Sequence, residues 1–370
     1  MQNLTQGAVG REWAFFAASN SRDGFHSYYE QCFRGAVDVL YIIKGGPGTG
    51  KSRLMREIAE AGEARGWRAE YYYCSSDPTS LDAVLLYGAH GRSVGLLDGT
   101  APHTFEPRMA GVREELIDLG QFWCSAQLFE QRGEIGKLIG QKSESYRAAY
   151  RYLRAAGECL DNGRDALLPC LPERRVERLA ARLLAGAMQR EESGGCRTGL
   201  RTSIGMRGRY TLPTYEDKAA RVCYLEDYYG VGYELAGAIF ARGREAGASM
   251  IVSRHPVCPD RVDALHFIAS GVSFIVRDAE ERALPHEQCE GTTVRCMDLR
   301  RLPDATLLRS ARERLRTAAR GYELMLENAC DCMAAVAQAH FALESIYTAA
   351  MDFDAKERYT AALIEKIFGK

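Results

Sequence analysis

Residues 45–52 read Gly45-Gly46-Pro47-Gly48-Thr49-Gly50-Lys51-Ser52, a G-x-x-x-x-G-K-S run. The apolar segment Val37 to Ile43 precedes it, and a helical pattern from Arg53 to Arg65 follows. Strand, glycine-rich turn and helix in that order place the segment in an α/β fold. It is also the context in which such a loop holds phosphate instead of serving as an ordinary turn.

The chemistry follows from the residue types. Glycine lets a backbone approach closely and adopt positive φ, so successive N–H groups can surround an anion. The N-terminus of the next helix adds its positive dipole end. The expected ligand is a nucleoside triphosphate, ATP or GTP, cradled by Gly45, Gly46, Pro47, Gly48, Thr49 and Gly50. Lys51 would reach the β- and γ-phosphates, and the Ser52 hydroxyl would ligate Mg²⁺. A carboxylate on a neighbouring strand completes such a site, and Ser93-Val94-Gly95-Leu96-Leu97-Asp98 ends in one. Asp98 is therefore the second metal candidate. Gly99 follows it where a water-activating Glu often stands, which argues against a fast ATPase motor.

Trp67 to Tyr73 reads as a second strand leading into Cys74-Ser75-Ser76-Asp77-Pro78, and Asp98 leads into Gly99-Thr100-Ala101-Pro102-His103. Loops at the carboxyl ends of parallel strands form the ligand crevice. Asp77 and His103 are thus candidates to orient water or an acceptor hydroxyl. Each has the alternative of being a turn residue.

A damaged copy of the segment lies in the second half. Arg221 to Glu234 aligns with Val39 to Ser52, setting Gly230 on Gly48 and Gly232 on Gly50. The register continues with Pro259 on Pro78, Asp263 on Asp82, Ser273 on Ser93 and Asp278 on Asp98. It implies a tandem duplication. Lys51 is replaced by Tyr233, Ser52 by Glu234, Gly45 by Asp227 and Asp77 by Cys258. Carboxylates facing the phosphate position would repel a triphosphate. The fold class is then α/β, with tandem duplicated P-loop NTPase-like domains. Each is a small parallel sheet with flanking helices and a helical extension. The first spans residues 1–195, the second 196–370. Either Arg254 or Arg277 of the second half is a candidate to reach across to the first site.

Gly24-Phe25, Tyr41-Ile42-Ile43-Lys44, the glycine loop, Cys74 to Pro78 with Ser80-Leu81-Asp82, and Leu97 to His103 resemble a poorly characterised bacterial family of tandem P-loop proteins. His340, Leu343-Glu344, Tyr347 and Ala350-Met351-Asp352-Phe353 are similar to that family as well. The resemblance implies nucleotide binding, under the label of ATPase or nucleotide kinase. Family members tend to carry an intact loop in both halves, and this chain departs from them at Asp227 to Glu234.

Composition bounds the rest. The formal charge of −1 gives no bulk reason to expect nucleic acid or an acidic membrane. No opening segment has a secretory pattern and no apolar run is long enough to span a bilayer, so a cytoplasmic location is expected. Twelve cysteines lack zinc spacing and read as small hydrophobes. Residues 1–36 are expected to add an edge element beside the first strand. The pattern after Met109, through Leu116, Leu119, Phe122 and Leu128, reads as helical. Glu191 to Gly195 reads as a linker, Thr292 to Met297 as a further strand, and Thr306 to Phe368 as helix. The helical extensions are expected to pair as an antiparallel bundle and to offer a surface to a protein partner. His340 and Glu344, one turn apart, read as a surface contact. Two function classes stand: an Mg²⁺-dependent NTPase or small-molecule kinase with one working site, and a slow nucleotide-responsive regulatory protein.

Overall fold

The computed structural model describes residues 13–102, 104–188, 194–283 and 291–369. The first half holds strands β1 (Trp13–Phe16), β2 (Ala18–Ser21), β3 (Gly24–Ser27), β4 (Val39–Lys44), β5 (Arg68–Tyr73), β6 (Leu81–Tyr87), β7 (Ser93–Asp98) and β8 (Glu114–Asp118). Its helices are α1 (Tyr29–Phe33), α2 (Lys51–Glu63), α3 (Ser125–Glu130), α4 (Arg132–Leu167) and α5 (Glu173–Ala185). The second half holds β9 (Cys196–Thr198), β10 (Thr202–Gly205), β11 (Gly208–Thr211), β12 (Arg221–Glu226), β13 (Met250–Arg254), β14 (Val262–Phe267), β15 (Val272–Arg277) and β16 (Thr293–Asp298). Its helices are α6 (Thr214–Asp217), α7 (Val231–Glu245), α8 (Ala279–Ala283), α9 (Ala305–Ala349) and α10 (Phe353–Phe368).

Each half builds a six-stranded sheet. The orders are β1-β5-β6-β7-β4-β8 and β9-β13-β14-β15-β12-β16, so the second sheet repeats the first strand for strand. In the first, β4 lies parallel between β7 and β8. In the second, β12 lies parallel between β15 and β16. A two-stranded hairpin accompanies each sheet, β2–β3 and β10–β11.

Three expectations are corrected. The sheets are mixed, not parallel: β6 runs antiparallel to both β5 and β7, and β14 to both β13 and β15. The connections 74–80 and 88–92 are too short for the crossover of a dozen or more residues that parallel neighbours need. Glu114–Asp118, expected to be helical, is the edge strand β8, paired with β4. The N-terminal edge strand β1 lies against β5 and not beside the first long strand β4. Strand pairing also separates two aspartates that the repeat alignment superposes. Ile43 faces Asp98, whereas its counterpart Leu225 faces Val276. Asp278 falls beyond the end of β15, so Val276, not Asp278, occupies the place of Asp98.

The halves meet about an antiparallel bridge, with Phe16 and Leu200 exchanging N–H···O bonds of 2.9 and 3.0 Å. Each hairpin tip then reaches into the other half. Met206 N–H donates to the Ser76 carbonyl at 2.8 Å, and Arg22 N–H donates to the Val257 carbonyl at 3.1 Å. Helices α4 and α9 run side by side, with Gly163 against Ala318 and Gly321 against Cys159. Lys142 lies beside His340 further along, which makes the pair antiparallel. The last helices cross over. Leu363 and Ile367 of α10 join the core of the first half, and Phe368 meets Trp67 at 5.2 Å. Val176, Ala180 and Leu184 of α5 join the core of the second. Among the described residues no helix is long and apolar enough to cross a membrane.

Candidate functional site

The glycine-rich loop leaves the carboxyl end of β4, and Lys51 opens α2. Gly48 and Gly50 take φ of +71° and +82°, a region that costs any residue with a Cβ about 1–2 kcal/mol. The loop is also closely covered. A Cβ on Gly46 would sit 2.9 Å from the Tyr347 ring, and one on Gly48 would sit 2.5 Å from the Glu344 carbonyl oxygen. Thr348 Oγ1 of α9 donates to the Gly48 carbonyl at 3.2 Å.

Lys51 Nζ folds over the loop, donating to the Gly45 and Gly46 carbonyls at 2.8 Å each. It stands 3.6 Å from an Asp98 carboxylate oxygen. Asp98 reaches it because β7 is the immediate neighbour of β4. The Thr100 N–H fixes the other Asp98 oxygen at 2.8 Å, and Thr100 Oγ1 donates to the Gly45 carbonyl at 3.0 Å. Ser52 Oγ accepts the Leu81 N–H at 2.9 Å, which ties α2 to β6.

A cleft of about 710 Å³ opens before this loop, and Lys51, Ser52, Asp77 and Asp98 all line it. Pro47, Gly48, Thr49 and Gly50 line it as well, whereas Gly45 and Gly46 lie behind them and His103 lies outside the described residues. Asp77 follows β5. One of its oxygens accepts from Thr79 N–H at 3.2 Å, from Thr79 Oγ1 at 2.8 Å and from Arg207 Nε at 3.2 Å. It is thus a turn residue and a contact to the other half at once.

Sequence reasoning missed much of the far wall. Lys142 and Tyr146 of α4, Arg207 from the β10–β11 turn, and His340 and Glu344 of α9 all line the cleft. The His340–Glu344 pair, read as a surface contact, faces the loop instead. Lys142 Nζ lies 3.2 Å from His340 Nδ1. Burial lowers Lys142 from the usual lysine range. Burial, helped by the Lys142 charge, brings His340 down to about 4. Glu344 is raised by burial and by the Asp77 charge. The one signal in the sequence was polar side chains one turn apart, His340 and Glu344, in the long C-terminal helix. Nothing local marked Arg207.

Neither arginine proposed to cross the interface does so. Arg254 stacks 4.8 Å from the Phe240 ring, and Arg277 lies over Tyr224 and 3.4 Å from Glu226. They end strands β13 and β15 of the second sheet.

The second loop is chemically plugged. It is two residues shorter than the first, 227–230 against 45–50, and Gly230, with φ of +96°, caps α7 as Gly50 caps α2. The Asp227 carboxylate, standing where the first loop has Gly45, accepts the Gly230 and Gly232 N–H groups at 2.9 and 2.6 Å. Those are the backbone donors that an external anion would use. Val231 opens α7 where Lys51 opens α2, and Tyr233, which the repeat alignment sets on the lysine, lies two residues further in, its ring edge-on to His255 at 5.2 Å. Glu234, aligned with the serine in the repeat but fourth in α7 where Ser52 is second in α2, binds Arg164 at 2.5 Å.

These features define an α/β protein of two like-built halves, with a lysine-bearing glycine loop open in one and closed by its own carboxylate in the other. Comparison with protein-family models, curated proteins and solved structures found no match. Among the described residues no cluster of three or more His, Cys, Asp or Glu side chains could hold a metal ion.

Proposed function

We propose that the first half binds a nucleoside triphosphate with Mg²⁺ and hydrolyses it, the glycine loop acting as a P-loop, while the second half binds no triphosphate. The observation that carries this reading is the contrast between the two loops. Residue 45 is glycine beside a cleft lined by Pro47 to Ser52, whereas Asp227 at the equivalent position of the other half takes two loop N–H groups. The donor set fits the ligand. Lys51 is already held at the loop and would neutralise the β- and γ-phosphates. Ser52 and Asp98 would hold Mg²⁺, which suits an ion that takes one or two protein ligands and completes its shell from phosphates and water. Bound there, the metal would neutralise charge on the phosphates. Asp77 lies in the same cleft and would orient the attacking water.

A second reading, a slow nucleotide-responsive switch, has one specific support. Helix α9 sits directly on the loop through Thr348 and Gly48, so occupancy of the loop would bias the position of a 45-residue helix.

Calorimetric titration of ATP and of GTP with Mg²⁺, joined to a phosphate-release assay, tests both. One site per chain with turnover is expected, with affinity falling roughly 100-fold in Lys51→Ala, about the 2–3 kcal/mol of charged hydrogen bonds. One site without turnover favours the switch. Two sites per chain, or full binding by Lys51→Ala, overturns the assignment.

A further inference from the structure

The β10–β11 hairpin of the second half ends in Met206-Arg207, between Gly205 and Gly208. Its tip is fastened to the first half. Met206 N–H donates to the Ser76 carbonyl at 2.8 Å. A Cβ on Gly205 would stand 2.5 Å from the carbonyl oxygens of both Ser75 and Ser76, so the two backbones approach as closely as glycine allows. This docking sets Arg207 in the cleft with Lys51 and Asp98, its Nε on Asp77.

The first half's own hairpin supplies an internal comparison. It docks in the same way, with Arg22 N–H on the Val257 carbonyl. Its tip reads Arg22-Asp23 between Ser21 and Gly24, so an aspartate stands where the other tip carries Arg207. The residue it faces in place of Asp77 is Cys258. The other tip's arginine, Arg22, pairs with Asp161 of α4 at 2.5 Å and with Asp260 at 3.7 Å, so what sets Arg207 apart is its place in the cleft that holds Lys51 and Asp98.

We infer that Arg207 is a catalytic residue of the triphosphate site, delivered by the half that has lost its own site. This inference rests on the hydrolase reading above. In the reaction a water oxygen bonds to the terminal phosphorus, and the bond from that phosphorus to the bridging oxygen breaks. The electron pair stays on the diphosphate. Arg207 releases Asp77, which takes the water proton, and the guanidinium neutralises charge gathering on the terminal phosphate oxygens. Arginine suits this task because its planar fork matches phosphate oxygens and it stays protonated. The degenerate half is thereby explained as a built-in activator.

The test measures kcat and KM for phosphate release, and binding of Mg²⁺ with nucleoside diphosphate and aluminium fluoride, a mimic of the transferring phosphoryl group. Arg207→Ala is expected to lower kcat about 10³-fold with KM within about threefold, and to lose the aluminium fluoride complex. Asp23→Ala, the matching change on the other tip, is expected to leave both unchanged. Should Arg207→Ala fail to fold, Arg207→Lys keeps the charge without the fork and is expected to lose at least about tenfold in kcat. Wild-type kcat in a folded Arg207→Ala, or in Arg207→Lys where the alanine variant does not fold, overturns the inference and leaves the hydrolase reading standing. A wild-type chain that fails to bind Mg²⁺ with triphosphate, or binds it without turnover, overturns both.

Discussion

His255 makes the stability of the second half depend on pH in a calculable way. The ring is buried, and its Nδ1 accepts the Val257 and Cys258 N–H groups at 3.2 Å each. A protonated Nδ1 would lose both bonds. Burial is the main cause that brings this imidazole down to about 3, with the Arg209 and Arg261 charges adding and Asp278 opposing. The unfolded value is 6.5. Since the folded value lies below the unfolded one, the group supports the fold above pH 6.5 and withdraws that support as the pH falls towards 3. At 1.36 kcal/mol per unit, the loss between pH 7 and pH 5 is about 2 kcal/mol. His255→Asn keeps an acceptor for the two N–H groups but has nothing to titrate. Urea unfolding of both proteins at pH 7 and pH 5 reads the difference. His266 and His340, lowered to about 4, titrate alike in both and cancel. The wild type should lose about 2 kcal/mol more than the variant. Equal losses would refute the claim that His255 stays neutral in the fold.

Two further outcomes follow from packing. Lys356 is buried with its ammonium 3.4 Å from Glu57, which also binds Arg53 at 2.7 Å. Lys356→Met should leave stability unchanged or raise it by roughly 1–2 kcal/mol, whereas Glu57→Leu strands the ammonium and should cost about 3 kcal/mol; denaturant unfolding that shows the same sign for both contradicts this. Gly48→Ala forces a Cβ into left-handed backbone and against the Glu344 carbonyl, and should cost at least about 2 kcal/mol and speed hydrogen exchange near Tyr347. Unchanged exchange there would show that α9 does not depend on the loop.

Much of the first glycine loop was legible because its causes are local. Strand β4, the glycines, Lys51 and Ser52 lie within a few residues of one another, and apolar runs and glycine positions report them directly. Asp98 was legible because it ends an apolar strand that pairs with β4. The β6 strand and the mixed sheet were not, since a short apolar run between two turns carries no mark of its direction. Glu114–Asp118 was misread because its half-exposed alternation is too brief to be told from helical spacing. The equivalence of Asp98 and Asp278 failed for a related reason. Alignment matches letters, whereas the hairpin connection sets which residue pairs with which.

The sequence by itself determined that the chain carries two like halves, one with a lysine-bearing glycine loop and one whose loop bears Asp227, Tyr233 and Glu234. Those facts rest on residue identity and short spacing. Only the tertiary structure decided that the cleft is built by both halves. Arg207 lies 130 residues from Asp77, and Thr348 lies 300 residues from Gly48. Contacts at such separation follow from how hairpins are exchanged and helices cross, and these depend on the burial of whole faces. No local pattern of residues records them.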